Sequence, residues 1–184
     1  SVFSKISDTC TPQGVLCVLK QFHYNIEEML RDKAPLFLLL ENIQDPGNLG
    51  TMLRTGEGAG VSGIIMSRDT VDLYNPKVIR STMGSIYRVP FYYADDFAAA
   101  VHQVQQAGVS VYAAHLRGKN SYACQDYTKG TAFLIGNEGN GLREETAELA
   151  DCYIRIPMEG KVESLNAAVA SSILMYEAHR QRAI

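Results

Sequence analysis

The sequence predicts an α/β domain with a mostly parallel β-sheet flanked by helices. Apolar runs of four to eight residues alternate along most of the chain with segments whose apolar residues recur at helical spacing, which is the pattern of βαβ units. The composition is that of a globular protein, since 46% of the 184 residues are hydrophobic and 20% are charged. A disordered, collagen-like or coiled-coil chain does not fit these values.

The strands are predicted from short apolar runs bounded by turn residues. Such runs cover residues 14–19, 36–41, 63–67, 109–114, 131–135 and 152–156.

Helices are predicted between these strands. A shorter helix is predicted over residues 75–84, with Pro76 in its first turn, and Gly108 suits the left-handed end of a helix. Two longer helices are indicated by stripes at helical spacing, one of Leu49, Met52, Leu53, Gly56 and Gly60, the other of Ala94, Phe97, Ala98, Val101 and Val104.

The last predicted helix, over residues 165–176, carries small or apolar residues on every face and no charge. A helix without a polar face is normally buried on most sides, and small residues allow close backbone approach. Ser164 is the predicted N-cap, and the exposed end of the helix is expected after Glu177.

The first 34 residues differ from the rest of the chain. They contain a polar start, one strand-like run and a charged stretch that ends at Ala34 and Pro35, where proline disfavours helix in the residue before it. We interpret residues 1–34 as the end of another unit plus a linker, and residues 35–184 as the main domain. Because the chain begins with Ser1 rather than Met, we expect further sequence upstream.

Several classes of protein are disfavoured by composition. The longest apolar run, Leu36–Leu40, is far shorter than the roughly 20 residues of a membrane helix. No secretion signal is visible, so a reducing, cytoplasmic compartment is expected. The formal charge of −3 and the isoelectric point of 5.8 argue against a nucleic-acid partner. Neither a metal site nor a disulfide framework is indicated by the four cysteines, Cys10, Cys17, Cys124 and Cys152.

Three glycine-rich stretches are candidate ligand loops. Residues 58–63 match GxGxxG but follow a helix and precede a strand, the reverse of the dinucleotide-binding order, so we interpret them as a helix end. Residues 136–141 directly follow a strand, where open α/β sheets bind ligands; the alternative is a tight turn. Glu138 in this loop is either a surface carboxylate or a fixed hydrogen-bond acceptor.

The third stretch, residues 45–50, opens the helix that bears Arg54. Asn48 is a residue type that caps helices, so its simplest role is a cap. Arg54 lies off the apolar stripe, and taken alone it is a solvated arginine that can pair with Glu57.

Three blocks in order give the sequence its resemblance to a known family. They are residues 42–60, with Asp-Pro-Gly-Asn-Leu-Gly at 45–50 and Arg54; residues 133–142, with Ile-Gly-Asn-Glu-Gly-Asn-Gly-Leu; and residues 154–177, with Ile-Pro-Met-Glu-Gly-Lys-Val-Glu-Ser-Leu-Asn at 156–166. Together they resemble the SpoU/TrmH family of the SPOUT superfamily. The resemblance implies S-adenosylmethionine-dependent methylation of RNA ribose 2′-hydroxyls, a C-terminal trefoil knot, and homodimers with composite sites that need no metal.

The resemblance also assigns roles to residues. Arg54 is implied as the catalytic arginine, oriented together with the ribose by Asn48, Glu138 and Asn166. A guanidinium stays protonated at ordinary pH, so we favour Arg54 as a clamp on RNA phosphate over Arg54 as a base. The implied cofactor-binding residues are Ala114, Gly136, Ile156, Met158, Ser164 and Leu165, of which Ser164 would also help to fix the loop.

His115 is a competing base, because histidine titrates near neutrality; a place in the pocket wall is the alternative. Residues 4–21 resemble the end of an N-terminal RNA-recognition domain, which favours ribosomal over transfer RNA. A local basic patch is expected from Arg54, Arg143, Arg180 and Arg182 despite the net charge. Two rival functions stay open: a non-catalytic RNA-binding module such as an assembly factor, and another nucleotide-binding enzyme that uses residues 136–141 for phosphate.

Overall fold

A computed structural model describes residues 3–7, 11 and 14–183. Within them, seven parallel strands form one sheet in the order β3-β2-β1-β6-β4-β7-β5. The strands are β1 Leu36–Leu40, β2 Gly63–Ser67, β3 Phe91–Ala94, β4 Ser110–Ala114, β5 Asn120–Ser121, β6 Thr131–Ile135 and β7 Cys152–Arg155. The helices are α1 Phe3–Ile6, α2 Ile26–Met29, α3 Pro46–Ala59, α4 Pro76–Thr82, α5 Phe97–Gln106, α6 Glu144–Ala147 and α7 Ala167–Arg182, with 3₁₀ turns at Ser85–Tyr87 and Tyr122–Cys124.

The predicted parallel α/β fold is confirmed, and the central strand β1 shows why it forms. Leu36, Leu38 and Leu40 pack on the face of the sheet that is covered by α3 and α7. Phe37 and Leu39 pack on the opposite face with residues of α2, α5 and α6. Since side chains alternate along a strand, an unbroken apolar run is what a strand buried on both faces requires.

The predicted strand over residues 14–19 is wrong. The backbone there forms no strand, and Val15 and Val18 are 78% and 90% exposed. A strand is stabilised by pairing with a neighbour, and no sheet edge lies alongside this run in the described structure. The five other predicted strands are confirmed within one residue at each end. Cys10 lies outside the described residues, while Cys17, Cys124 and Cys152 are free thiols.

Strands β3 and β5 are absent from the sequence prediction. Ala94, predicted to lie on a helical stripe, ends β3, and α5 begins after the N-cap Asp96. β5 contains only two residues and pairs with β7 alone. Runs this short carry too little periodicity to identify a strand.

α3 begins one turn earlier than its predicted cap. Asp45 is the N-cap and its carboxylate accepts from the backbone N–H of Asn48 at 2.7 Å, so Asn48 is not the cap. The helix ends at Gly60, with φ of 78°, which confirms that residues 58–63 are a helix end. α4 is confirmed and packs closely on α3, because a Cβ at Gly50 would lie 1.7 Å from Ser81 Oγ.

α7 begins at Ala167 and is capped by Asn166, whose side chain accepts from Ala168 N and Val169 N. The prediction of Ser164 as the cap is therefore wrong. One face of α7 packs on α3, but Val169 and Tyr176 are 48% and 50% exposed, so the helix is less buried than predicted. At its end, the Arg182 guanidinium donates to the carbonyl oxygens of Ala34, Pro35, Tyr127 and Lys129.

The connection between β4 and β5 crosses the end of β7. Ala114 and Asn120 both pair with Ile154, so β5 starts at the level where β4 ends. Residues 115–119 therefore connect β4 to β5 across the end of β7, which lies between them. The crossing is tight, because His115 N donates to Ile154 O at 3.0 Å and a Cβ at Gly118 would lie 2.8 Å from Ile154 C. The knot is a matter of threading, and it stays a prediction.

Candidate active site at the carboxyl edge of the sheet

A cavity of about 260 Å³ opens where β4, β6 and β7 end. Its walls come from the ends of these strands, from the glycine loop (residues 136–141) and from the pocket loop (residues 156–165). All six residues predicted to hold the cofactor line this one cavity: Ala114, Gly136, Ile156, Met158, Ser164 and Leu165. The structure therefore brings them together, while their roles stay predictions.

The glycine loop is both a tight turn and a wall of the cavity. Asn137 and Gly141 exchange two backbone hydrogen bonds, of 3.0 and 2.9 Å, and Gly141 has a φ of 71°. A Cβ at Gly136 would lie 2.2 Å from Gly141 C and Leu142 N. Only glycine at position 136 allows the loop to fold back on the strand so closely.

Asn137 ties the glycine loop to the end of β1. Its Oδ1 accepts from Gly139 N at 2.9 Å and Asn140 N at 3.0 Å, and its Nδ2 donates to Asn42 O at 2.8 Å. Asn42 has a φ of 54°, a left-handed conformation that asparagine tolerates better than most residues. Sequence reasoning assigned no role to Asn137 or Asn42; the available signal was an asparagine two positions after each buried strand.

Glu138 connects the same loop to α3. Its Oε1 accepts from Asp45 N and Asn48 Nδ2, both at 3.0 Å, and its Oε2 accepts from Gln44 N at 3.1 Å. Burial raises the pKa of this carboxyl, but the hydrogen bonds from Asn48, Asp45 and Gln44 outweigh burial, so its pKa lies below the ordinary value. Glu138 is thus an ionised, fixed acceptor rather than a surface carboxylate.

Asn48 is also hydrogen-bonded to the residue that caps α7. Its Oδ1 accepts from Asn166 Nδ2 at 3.0 Å, while Asn166 Oδ1 accepts from the first amides of α7. Glu138, Asn48 and Asn166 therefore form one hydrogen-bonded row, called here the amide chain. It joins the N-termini of α3 and α7, where free N–H groups and the helix dipoles favour negative charge.

Arg54 does not contact the amide chain. Six residues of α-helix separate it from Asn48, which corresponds to about 9 Å along the axis and about 240° around it. Arg54 is exposed, and among the described residues its side chain has neither an ion pair nor a hydrogen bond; Glu57 pairs with Arg88 instead. Within one chain none of Asn48, Glu138 and Asn166 is hydrogen-bonded to Arg54, so the expectation that they orient it stays a prediction.

His115 lies in the cavity wall rather than in the position of a base. Its Nδ1 accepts from Arg117 N at 3.1 Å, and its ring lies 5.1 Å from that of Tyr153. Burial, followed by the charge of Arg117, lowers its pKa. Because Nδ1 accepts from Arg117 N, the proton of the neutral ring lies on Nε2, and Nδ1 could accept a further proton only by losing that hydrogen bond.

The basic patch expected from four arginines does not form. Arg143 pairs with Glu41 and Asp69, and Arg180 pairs with Glu177. The Arg182 guanidinium donates to backbone carbonyl oxygens. Of the four arginines, Arg54 is therefore the one whose side chain has no partner in the described part of the chain. Glu41, 1% exposed, also accepts from Arg143 N and Thr146 Oγ1 and fixes the exit of the glycine loop.

Two kinds of feature are absent from the described residues. No helix in residues 3–7 and 14–183 is long and apolar enough to span a membrane. Nor do three or more His, Cys, Asp or Glu side chains within these segments cluster as metal ligands.

Known proteins are similar to this chain over most of its length. The family model described as the SpoU rRNA Methylase family matches residues 35–176. A 23S rRNA (guanosine(2553)-2'-O)-methyltransferase of Bacillus subtilis, RlmP, is 36% identical over 174 residues, which are 95% of this chain and 68% of that protein. The 23S rRNA (guanosine-2'-O-)-methyltransferase RlmB of Ralstonia nicotianae is 33% identical over 183 residues, covering 97% of this chain and 74% of that protein.

Solved structures give the same picture. The SpoU methyltransferase AviRb from Streptomyces viridochromogenes, in complex with the cofactor AdoMet, superposes with a TM-score of 0.80 at 31% identity, covering 86% of this chain and 62% of AviRb. An AdoMet-bound rRNA methyltransferase from Sinorhizobium meliloti superposes with a TM-score of 0.79 at 37% identity, covering 88% of this chain and 62% of that protein. The chain thus spans about two thirds of the length of the proteins it matches.

Proposed function

Because this chain belongs to the SpoU rRNA methylase family, we propose that it transfers a methyl group from S-adenosylmethionine to a ribose 2′-hydroxyl of RNA. Family membership also confirms the resemblance identified from the three sequence blocks. Ribosomal RNA is the favoured substrate, since relatives aligned over more than nine tenths of the chain are named as 23S rRNA methyltransferases. Transfer RNA is the alternative, because a tRNA-modifying TrmH/SpoU enzyme of A. aeolicus superposes with a TM-score of 0.74.

One observation carries the proposal: the six cofactor-binding candidates surround a single cavity, and its wall also contains Glu138, to which Asn48 and Asn166 are linked by hydrogen bonds. Strand ends in an open α/β sheet are where ligands of this size bind. The cavity offers what S-adenosylmethionine requires, with apolar walls from Ile135, Ile154 and Leu165 for an adenine ring and the bare backbone of Gly136 for polar contacts. When bound there, the cofactor supplies an electrophilic methyl group on sulfur.

The protein's own groups position the other reactant. Asn48 and Asn166 each use one N–H of the side-chain amide within the amide chain, which leaves the second N–H of each free to donate to a ribose or phosphate oxygen. Ionised Glu138 fixes their orientation. The step is an in-line displacement, for which holding the hydroxyl close to the methyl group is the main requirement. No Lewis acid is needed, so a metal is not part of the proposal.

Arg54 binds an RNA phosphate in this account. A guanidinium remains charged and cannot remove the hydroxyl proton. Because Arg54 has no carboxylate partner among the described residues, its charge is available for a phosphate. The proton therefore leaves by a route that does not involve Arg54.

We further propose that the protein is a homodimer with composite sites. In one chain Arg54 lies away from the amide chain, and the outer face of α7 next to it leaves Val169 and Tyr176 half exposed. A second copy on this face would cover them and bring its own Arg54 toward the site. Residues 1–34 as part of an RNA-recognition unit, residues 35–184 as the catalytic domain, and a cytoplasmic location are parts of the same proposal.

Calorimetric titration of the purified chain tests the cofactor assignment. Saturable binding of S-adenosylmethionine, without binding of ATP or NAD, is the expected result. Binding of ATP or NAD instead would support the rival nucleotide-binding enzyme. If S-adenosylmethionine binds but no methyl group reaches ribosomal or transfer RNA, the non-catalytic RNA-binding module becomes the better account.

A further inference from the structure

Exposed cations and apolar side chains share one surface beside Arg54. This surface, called here the α4 surface, consists of Lys77, Arg80, Met83 and Tyr87. Met83 and Tyr87 are 69% and 51% exposed, and within the described chain neither cation has an ion pair or a side-chain hydrogen bond. Half of the ten arginines in the described residues do pair with carboxylates: Arg68, Arg88, Arg117, Arg143 and Arg180.

The α4 surface lies alongside the helix of Arg54. Ser81 contacts α3 at Gly50, with its hydroxyl bonded to Pro46 O at 3.2 Å. Further along both segments, Arg88 pairs with Glu57. Residues 82–84 are therefore level with Arg54, which occurs between Gly50 and Glu57 on α3.

Met83 adopts an unusual backbone for an exposed methionine. It ends α4 with a φ of 50°, in the left-handed region where glycine or asparagine is normally found. With 69% of its surface exposed, its side chain contributes little to the core. Burial of the side chain therefore does not offset the backbone strain. Strained residues of this kind concentrate at functional surfaces.

We propose that the α4 surface binds the substrate RNA next to the catalytic cavity, an inference that rests on the proposed function. Lys77 and Arg80 would contact phosphates, and Met83 and Tyr87 would receive a base that is unstacked from its neighbours. Proteins recognise single-stranded RNA by stacking of this kind, together with cations that follow the backbone. The rings of Phe22 and Tyr87 pack in a T-shaped arrangement with their centroids 6.0 Å apart.

Charge argues for RNA rather than a second copy as the occupant. A symmetric dimer buries the same patch of both copies, so Lys77 and Arg80 of each copy would bring four positive charges into one interface. Interface cores are depleted in charge, and lysine in particular is rare there. A polyanion, in contrast, gains from every unpaired cation through release of its counterions.

Binding of an unmodified 23S rRNA transcript to the full chain, measured over a range of salt concentrations, tests the proposal. For Lys77→Gln we expect weaker binding, with the slope of log affinity against log salt reduced by about 0.7. Lys129→Gln is the matched control and should bind like wild type. Lys129 is an exposed lysine just before β6, at the amino ends of the strands, whereas the cavity lies at their carboxyl ends. Equal salt slopes for wild type and Lys77→Gln would overturn the proposal.

The apolar half of the surface has its own test. Tyr87→Ala should weaken binding of the transcript roughly tenfold, while Tyr87→Phe, which keeps the ring, should restore it. Met83→Gly should also weaken binding, yet its thermal midpoint should stay at or above that of wild type because glycine relieves the left-handed strain. Unchanged RNA affinity in Met83→Gly, or dissociation of an oligomer by Tyr87→Ala, would contradict the assignment.

The two proposals fail in different ways. If wild type transfers no methyl group to RNA, the proposed function fails whatever the variants do. If wild type does transfer methyl groups and Lys77→Gln has the same KM for RNA, only the α4 surface is wrong. Cofactor affinity should be equal in all these variants, since none of the substituted residues lines the cavity.

Discussion

Glu138 accepts hydrogen bonds from two backbone amides and one side chain, and in this way holds the glycine loop against the first turn of α3. Both carboxylate oxygens of Glu138 accept from N–H groups. In Glu138→Gln one of these oxygens becomes an NH₂ group, which is itself a donor and cannot accept. A lost hydrogen-bond acceptor at this partly buried site costs about 1 kcal/mol. We expect that loss in denaturant unfolding at pH 7, together with a larger fall in methyl transfer than in cofactor affinity.

The same substitution predicts a pH dependence. The pKa of Glu138 is lower in the folded protein than its ordinary value of 4.5, so its stabilisation is present above that value and is lost as the pH falls through the folded pKa. The stability difference between wild type and Glu138→Gln should therefore shrink below about pH 4. A difference that stays constant down to pH 3 would show that ionisation of Glu138 does not stabilise the fold.

The family resemblance predicted which residues line the cavity, whereas residue type predicted the helix caps poorly. Asn48 and Ser164 are both cap-forming types, but Asp45 and Asn166 form the caps. Several cap-forming residues stand within three positions of each helix start, and tertiary contacts select among them. Asn48 is free to join the amide chain because Asp45 caps the helix, and this could be known only once Glu138 was placed beside it.

At the scale of elements, the glycine loop depends on the absence of a side chain at one position. Gly136→Ala would place a Cβ 2.2 Å from the backbone at Gly141 and Leu142, so the loop must open. We expect cofactor affinity to fall at least tenfold by calorimetry. Gly160→Ala, in the pocket loop, is the matched control because a Cβ there meets nothing within 4 Å, and it should bind like wild type. Similar affinities for both variants would mean that the loop does not shape the cofactor site.

The sequence predicted the strands that have a clear apolar pattern. It did not predict strands that form only because a neighbouring strand lies beside them. β1, β2 and β6 are unbroken apolar runs, and all three were predicted within one residue. β5 exists because residues 115–119 carry the chain over the end of β7, which local periodicity cannot reveal. Conversely, residues 14–19 have a strand-like pattern but no partner.

At the scale of the whole molecule, the proposed dimer depends on the outer face of α7. Val169→Asp would place a charge at the centre of that face. By analytical ultracentrifugation we expect dimers of wild type and monomers of Val169→Asp, which should keep cofactor binding and lose methyl transfer. Ala99→Asp, at an exposed position of α5 on the opposite face of the sheet from α7, should stay dimeric and active. A monomeric and active wild type would contradict the composite site.

The net charge of −3 describes the whole molecule and says little about its RNA surface. Of the four arginines expected to form a basic patch, three are engaged by carboxylates or carbonyls. Among the described residues, Arg54 and the cations of the α4 surface have no ion pair, and neither does Arg155 in the wall of the cavity. Local pairing, rather than the overall balance, therefore decides where a polyanion can bind.

Transfer of radiolabelled methyl groups from S-adenosylmethionine to 23S rRNA, followed by nuclease mapping of the labelled position, tests the central claim most directly. Wild type should label a ribose 2′-oxygen. Arg54→Ala should label none, while its stability changes by no more than about 0.5 kcal/mol, since Arg54 is exposed and unpaired, and its cofactor affinity stays within a fewfold. Label on a base, or full activity of Arg54→Ala, would contradict the account.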